Sequence, residues 1–262
     1  MLTGLVRGAT LVAVLLSSLV GTASATTIAY EWFEYSPPPS LPGDNGGVGF
    51  NGPWNGDANV VVPPPPGLQH PLALPGKGSK IGGQFKVNRE LKNKLTQPVY
   101  WVSFLISSTA MADEGWLGLA SAGSSKPLIY FGRRFNNYFI QSSSGSSAAC
   151  CVSPVGSTDL LVARITQGPT TKVDLWVNAN PAGGAVPKVT NISGPLVTPF
   201  KMLFMQVENG LFADEVRIGT DVSEVAASKA TVPLLAWTIG ATVILFGFFA
   251  YRAMRAARTR RA

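Results

Sequence analysis

The chain has 262 residues, a formal net charge of +7 and an isoelectric point of about 9.6. Six of its 21 lysines and arginines lie outside residues 26–229, and this stretch contains all 14 acidic residues, so its net charge is only +1. Proteins bind nucleic acids through a surplus of lysine and arginine that neutralises the phosphates. The charge distribution therefore excludes a nucleic-acid partner for this region.

The N-terminus has the three parts of a secretory signal peptide. Arg7 provides a positive charge, residues 9–20 are mostly apolar, and Ala23 and Ala25 form a small-residue cleavage site. A transmembrane helix is the alternative, but this stretch is too short to span the ~30 Å hydrocarbon core of a bilayer. The sequence predicts that residues 1–25 are removed and that the mature protein is exported.

Residues 36–76 are unusually rich in proline and glycine. They contain eleven of the twenty prolines, and residues 43–56 contain six glycines. Proline cannot donate to a sheet ladder and glycine weakens a strand. We therefore expect long surface loops here, held by Phe50 and Trp54 packing onto a sheet, with one short edge strand at residues 59–62.

Apolar and polar residues alternate along much of the remaining sequence. Val173, Leu175 and Val177 share one face of their segment, which is the pattern of a half-buried strand. Similar runs occupy residues 27–33, 99–107, 115–122, 127–132, 137–142, 160–165, 200–207 and 211–219. No stretch before residue 232 has a capped helical period. Residues 26–220 therefore predict one all-β domain with the architecture of a sandwich.

The two cysteines, Cys150 and Cys151, are adjacent. Consecutive Cα atoms are ~3.8 Å apart, which is less than the usual separation across a disulfide. The sequence therefore favours two thiols in a strand or turn. A redox-active bond between these neighbours, or a link to another chain, is the alternative.

Asp214 is a candidate calcium ligand in the run LFADEVRIG. Strict alternation puts Asp214 on the same face as Val216, so that Asp214 faces the core unless the strand is bulged. It puts Glu215 on the opposite face of the strand. A buried carboxylate needs a partner. We expect backbone N–H groups or an arginine such as Arg217 to provide it, with Ca²⁺ as the alternative.

A second candidate calcium site lies in the glycine-rich segment. Asp44 and Asp57 belong there to a group of oxygen-bearing side chains, which are the ligands that Ca²⁺ prefers. Aspartate and asparagine are also the residues that turns require, so a plain turn is the simpler interpretation.

The C-terminus combines an apolar segment with a basic end. Residues 232–251 carry no charge and are long enough to cross a bilayer. The arginines that follow stay in the cytoplasm under the positive-inside rule; they are Arg252, Arg255, Arg258, Arg260 and Arg261. The sequence predicts a linker at 221–231, a membrane helix at 232–251 and a cytoplasmic tail at 252–262.

Several motifs together resemble the laminin G-like, concanavalin A-like domains of bacterial surface proteins. They are YEWFEY near the mature N-terminus, the glycine-rich segment 41–54, VYWVSFLI, GWLGLAS, LWVNAN and FADEVRIGTDVSEV. The resemblance covers residues 27–225 and implies a jelly roll of two antiparallel sheets with the first and last strands adjacent. That family includes both lectins and glucanases, so the activity must be judged from individual residues.

The tail resembles the PEP-CTERM class of sorting signals, which exosortases process. Val232 and Pro233 at the membrane boundary and the arginine-rich end carry this resemblance, and Trp237 is similar to a position in a related signal. Leu234 and Leu235 depart from the class, which has Glu-Pro there. The resemblance implies that the helix is removed and the protein released to the cell surface, which we favour over a permanent anchor.

The residues favour binding or structure over catalysis. The glucanase branch of this superfamily uses Glu-x-Asp-x-x-Glu, and this spacing does not occur in the sequence. Trp101, Trp116 and Trp176 are candidates for stacking on sugar rings, although strand aromatics are commonly core residues. The sequence favours a non-catalytic structural or adhesive envelope protein. A carbohydrate-binding module is the alternative, and a polysaccharide hydrolase is a second alternative.

Overall fold

The alternating runs of the sequence form strands in the computed structural model of the chain. The structure describes residues 27–35, 41–56, 60–63, 65–76, 78–109, 114–194, 199–208 and 210–227. The strands within them are β1 (Thr27–Glu31), β2 (Phe50–Gly56), β3 (Val60–Val61), β4 (Ile81–Gly83), β5 (Phe85–Leu95), β6 (Val99–Ser108), β7 (Glu114–Ser121), β8 (Ile129–Arg134), β9 (Asn137–Ser142), β10 (Ser147–Val152), β11 (Thr158–Thr166), β12 (Thr171–Val177), β13 (Val189–Ser193), β14 (Phe200–Val207) and β15 (Leu211–Gly219). There are also two short 3₁₀ turns, Pro181–Gly183 and Val222–Glu224.

The strands of this described part make two antiparallel sheets. The eight-stranded sheet has the order β13-β12-β11-β6-β15-β4-β3, with β1 also paired to β15, and the seven-stranded sheet has the order β10-β9-β8-β7-β14-β5-β2. The prediction of an all-β fold with two antiparallel sheets is confirmed. β1 pairs with β15 from Thr27 opposite Gly219 to Glu31 opposite Val216, so the first and last strands are adjacent, as the resemblance implied.

The main core lies between the two sheets. Alternate residues of each strand point inward, as the period of two requires. In β14, for example, Leu203, Met205 and Val207 are buried in this core, while Met202 and Gln206 are only half-buried. Removing such apolar side chains from water is the main favourable term in folding, at about 25 cal/mol per Å².

Five strands of the described part, β2, β4, β5, β10 and β13, lie where the sequence predicted none. β5 was not predicted because the buried Arg89 lies among its inward residues and interrupts the apolar alternation, while Phe85, Val87 and Leu91 face the core. β2 lies inside the segment predicted as loops, and that prediction is wrong for residues 50–56. Its pairing with β5 is interrupted between Asn51 and Asn55, so the intervening Pro53 does not need to donate to the ladder.

Other expectations for the proline-rich segment are confirmed. Trp54 is buried at 1% exposure and packs with Phe33 and Phe50. Val60–Val61 forms the short edge strand β3. The described parts of the proline- and glycine-rich segment 36–76 are therefore fixed to the sandwich by aromatic packing and by two edge strands. β2 lies at the edge of one sheet and β3 at the edge of the other.

A buried ion pair joins the two sheets beside Trp54. Glu31 in β1 and Arg89 in β5 are 2.7 Å apart and almost completely inaccessible to solvent. The same carboxylate accepts hydrogen bonds from the Tyr35 hydroxyl and the Trp54 indole. Burial and the charge of Glu31 raise the pKa of Tyr35, so its hydroxyl stays a donor. Arg89 also donates to the carbonyl of Gly52, which ties β2 to the pair.

The outer face of the eight-stranded sheet is covered by other parts of the chain. A second apolar cluster forms there; its members are Leu68, Leu105, Leu160, Val162, Trp176, Val225 and Ala226. The Ser103 hydroxyl donates to the carbonyl of Val225 at 2.6 Å. Residues 221–227, which the sequence assigned to a linker, therefore pack onto this sheet.

The two terminal segments of the sequence interpretation lie outside the described residues. These are the signal peptide at 1–25, with Ala23 and Ala25, and the helix and tail at 232–262. In the part of the chain that the structure describes, no helix is long and apolar enough to cross a membrane.

Candidate functional site

The outer face of the seven-stranded sheet contains a groove at the β8–β10 edge. The groove has a volume of about 160 Å³. Its lining residues are Arg134, Phe135, Asn137, Phe139, Gln141, Ser147, Ala148 and Ala149. All come from β8, β9, β10 and the turn between the first two, so a single antiparallel meander builds the site.

The strand register explains why large aromatic rings gather beside this groove. Trp116 lies opposite Gly132, and Gly132 lies opposite Phe139 on the next strand. A Cβ atom at Gly132 would meet the Trp116 backbone and side chain, so only glycine leaves room for this packing. Trp116, Tyr130 and Phe139 then form a series of tilted and edge-on contacts with ring centroids 5.0 and 5.8 Å apart.

Arg134 lines the groove and is held there by contacts with its neighbours. Its guanidinium lies 4.5 Å from the centroid of the Phe139 ring, within the range of a cation–π contact. It donates to Gln141 Oε1 and to Glu114 Oε1, both at 3.0 Å. Glu114 raises the pKa of Arg134 through this hydrogen bond. Three contacts therefore fix the direction in which the remaining N–H donors of Arg134 point.

The rim of the groove is partly apolar. Phe135, at the β8–β9 turn, is 61% exposed and has a φ of 54°, in the left-handed region. Val152, which lies opposite Asn137, is also exposed. Exposed aromatic and aliphatic side chains on a rim are common where a protein meets a ligand or partner.

The cysteines lie directly after the groove residues of β10. The structure joins Cys150 and Cys151 by a disulfide, so the favoured interpretation of two thiols is not what the structure shows. The register of β10 against β9 shifts between Cys150 and Val152, and Cys151 takes a left-handed φ of 37°. The bond is accommodated because the strand is bulged at an exposed edge, where the extra residue needs no partner.

The acidic pair Asp214 and Glu215 is structural in its contacts. A bulge in β15 between Asp214 and Arg217 breaks the alternation, and Glu215 has a φ of 53°. The strand has the bulge that was named as the exception, so Asp214 does not face the core. The prediction that the two side chains point to opposite faces is wrong. Both carboxylates lie on the outer side of the sheet, where Tyr30 and Arg217 donate to Glu215.

Backbone groups partner Asp214, as one expectation proposed. The N–H groups of Leu68 and Glu215 donate to its two oxygens at 2.7 and 2.8 Å. Burial and the neighbouring Glu215 nevertheless raise its pKa to about 8. The carboxylate holds the loop that begins at Gly67, since its contact with Leu68 anchors that loop to β15.

The other calcium candidates do not assemble with Asp214 in the described structure. Asp44 lies in the loop before β2, where its backbone pairs with Trp54 and Leu41. Asp57 lies outside the described residues. Across the described ranges, no group of three or more histidine, cysteine, aspartate or glutamate side chains is placed to hold a metal ion.

The three tryptophans considered for sugar stacking occupy different faces. Trp101 and Trp176 lie 5.5 Å apart on the outer side of the eight-stranded sheet, where the Trp176 indole donates to the carbonyl of Ala185. Trp116 lies on the other sheet, near the groove but 5% exposed. The structure therefore does not bring the three indoles into one surface.

Sequence reasoning missed the groove residues themselves. One signal was present in NYFIQS, where Tyr138 and Ile140 alternate with Phe139 and Gln141. An aromatic residue on the polar side of a strand marks a surface that is either covered or used. The contribution of Arg134 depended on a register between three strands, which no local pattern reveals.

Comparisons with known proteins give structural neighbours alone. No family model and no curated protein matches the chain. Similar solved structures include the globular domain of T. cruzi calreticulin, at 13% identity and a TM-score of 0.49 over 76% of this chain and 90% of that one. The receptor-binding domain of botulinum neurotoxin type G has 6% identity and a TM-score of 0.45 over 76% of this chain and 49% of that one. The Caenorhabditis elegans galectin LEC-6 has 10% identity and a TM-score of 0.35 over 49% and 88%. These solved structures are similar to this chain in fold alone.

Proposed function

We propose that this chain is a non-catalytic carbohydrate-binding protein whose ligand lies in the groove on the seven-stranded sheet. The observation that carries the proposal is the convergence of aromatic rings, two amides and one fixed arginine in that groove. Binding sites for small molecules combine apolar and aromatic lining with a few placed polar groups. The groove has this composition.

The chemistry of the lining suits a saccharide. A sugar ring presents C–H groups on its faces and hydroxyl groups at its edges, so it needs an aromatic surface beside hydrogen-bonding groups. Phe135 offers an exposed ring at the rim. Asn137 and Gln141 can each donate and accept hydrogen bonds, and Arg134 adds donors between them.

The pairing and burial of four carboxylates support a non-catalytic function. Glycosidases use two carboxyl groups that flank the scissile bond. Glu114 is paired with Arg134, and Glu90, on the same face, is paired with Lys201. Asp214 and Glu215 are buried on the other sheet. These pairings favour fixed structural charges over a proton donor and nucleophile.

An exported structural or adhesive protein is the second candidate. The signal peptide predicted at 1–25 and the sorting signal predicted at 232–262 favour it, because both are typical of a protein displayed at or released from the cell envelope. A sugar-binding groove and an envelope location are compatible. We infer that the protein works outside the cytoplasm, on a polysaccharide near its own membrane. Intact-mass analysis of protein from its native envelope tests the location, since retention of residues 232–262 would contradict processing.

Direct binding measurements test the carbohydrate proposal. We expect micromolar binding to at least one oligosaccharide on a glycan array, followed by titration calorimetry with that sugar. Phe135→Ala should weaken binding about tenfold, because a lost stacking contact of ~1.4 kcal/mol has that effect. The side chain is largely exposed, so this change should not unfold the protein.

A matched pair of asparagine variants separates the groove from the rest of the sheet. Asn137→Ala removes an amide that lines the groove, whereas Asn55→Ala removes an exposed amide of β2 at the opposite edge of the same sheet. Loss of binding in the first variant alone supports the site. Equal effects of both, or no binding by the unaltered protein, would refute the proposal.

A further inference from the structure

The charge of the groove is set by an ion pair in which one partner lines the groove and the other supports it. Among the described residues that line the groove, Arg134 is the charged one. Glu114 lies behind it at 3.0 Å, and both side chains are partly buried, with 35% and 19% exposure. The guanidinium that a ligand meets is therefore already neutralised from the side away from the groove.

The strand register fixes this arrangement. Glu114 begins β7 directly opposite Arg134 in β8, and Arg134 lies opposite Asn137 in β9. Opposite charges at directly paired positions stabilise an antiparallel sheet. Gln141 and the Phe139 ring hold the other side of the guanidinium. Arg134 cannot turn fully toward a ligand without losing contacts on both sides.

We propose that the groove selects neutral saccharides over those that carry carboxylate groups, and that Glu114 is the residue that sets this selectivity. The inference rests on the proposed carbohydrate-binding function of the same groove. A carboxylate on a sugar binds best through a bidentate contact with an arginine. To make this contact with Arg134, the sugar carboxylate would have to displace Glu114. The negative charge of Glu114 would also repel the sugar carboxylate. A neutral hydroxyl can accept from an N–H of the paired arginine without displacing Glu114.

The test uses matched oligosaccharides that differ at one carbon. Glucan, mannan and galactan oligosaccharides are compared by titration calorimetry with the corresponding uronic-acid oligomers, in which carboxylate replaces the hydroxymethyl group. We expect the protein to bind the neutral member of a pair about tenfold more tightly than the charged one, a difference typical of competition for one charge-assisted contact. Tighter binding of the uronic-acid member would overturn the inference and leave the proposed function intact. Binding to no oligosaccharide would overturn the proposed function and the inference together.

Two variants locate the selectivity. Glu114→Gln keeps the size of the side chain and frees the charge of Arg134, so we expect the uronic-acid oligomer to gain about tenfold in affinity relative to the neutral one. Glu90→Gln makes the same change in net charge on the same sheet face, where Glu90 pairs with Lys201, and should leave the ratio unchanged. Equal shifts in both variants would overturn the assignment to Glu114. The comparison within the unaltered protein needs neither variant to fold.

Discussion

The buried pair of Glu31 and Arg89 provides the sharpest test of how the two sheets are joined. Glu31 is completely buried and accepts four hydrogen bonds, from the N–H of Phe33, the Tyr35 hydroxyl, the Trp54 indole and Arg89. Glu31→Gln keeps the shape of the side chain and removes its charge. One of its two oxygens also becomes an amide nitrogen that faces a donor.

The expected loss follows from these contacts. Removing one partner of a buried ion pair costs about 3–5 kcal/mol, because the remaining charge is left without compensation. Arg89 is 1% exposed, so water cannot reach it to offset the loss. For a domain of this size 1 kcal/mol lowers the melting temperature by ~2–4 °C, so we expect the melting temperature to fall by roughly 6–20 °C.

The measurements are thermal unfolding, which gives the melting temperature, and urea unfolding, both of the purified chain and both followed by tryptophan fluorescence and by circular dichroism. Glu90→Gln is the control. Glu90 follows Arg89 in β5, but its side chain is exposed and pairs with Lys201. This variant should unfold at the same urea concentration as the unaltered protein. The double variant Glu31→Gln with Arg89→Met should recover part of the stability, since no unpaired charge remains. If Glu31→Gln unfolds at the same urea concentration as Glu90→Gln, the ion pair does not stabilise the contact between the two sheets.

Two further predictions concern the loop that Asp214 holds. An aspartate in the unfolded chain has a pKa of ~3.9, whereas Asp214 in the folded protein has a pKa raised to about 8. Between these two pH values the folded state binds a proton that the unfolded state has lost. The free energy of unfolding should therefore decrease as the pH rises from the lower value to the higher one, and level off above it. Melting temperatures at pH 5 and pH 9 should therefore differ less in Asp214→Asn than in the unaltered protein; an equal difference would contradict the raised pKa. A Cβ atom at Gly67 would collide with the Asp214 carboxylate, so Gly67→Ala should cost about 1–3 kcal/mol of stability in urea unfolding. Gly194→Ala, where a Cβ atom meets no neighbour within 4 Å, should have little effect, and equal effects of the two would refute the close approach.

Much of the sandwich could be predicted from the sequence, for a physical reason. Strands with one face in the core and one outside must alternate. In β11, Leu161, Ala163 and Ile165 lie in the core between the sheets, while Leu160 and Val162 lie in the outer cluster. β5 alternates as well, but it places a buried arginine among its inward residues, and a charge at such a position hides the pattern. Arg89 is tolerated there only because Glu31, far away in sequence, meets it.

The bulges account for the site residues that sequence reasoning placed incorrectly. A single extra residue reverses the faces of everything that follows, so the orientation of Asp214 depended on whether β15 is regular. No composition signal marks a bulge at Glu215, which is not a glycine but still has a positive φ. The groove posed the same difficulty, since Arg134 meets Glu114 and Gln141 only through the register of neighbouring strands.

The pairing of the first and last strands also determines how the sandwich would respond to mechanical tension. Thr27, where β1 begins, lies opposite Gly219, where β15 ends. A force that pulls Thr27 and Gly219 apart therefore acts at one end of this strand pair. It breaks the hydrogen bonds between β1 and β15 one after another, starting at that end. The groove lies on the other sheet, remote from this pair in the strand order. If the protein is tethered and pulled, the pairing of β1 with β15 would break first. The groove and its ligand contacts would remain intact while these two strands separate.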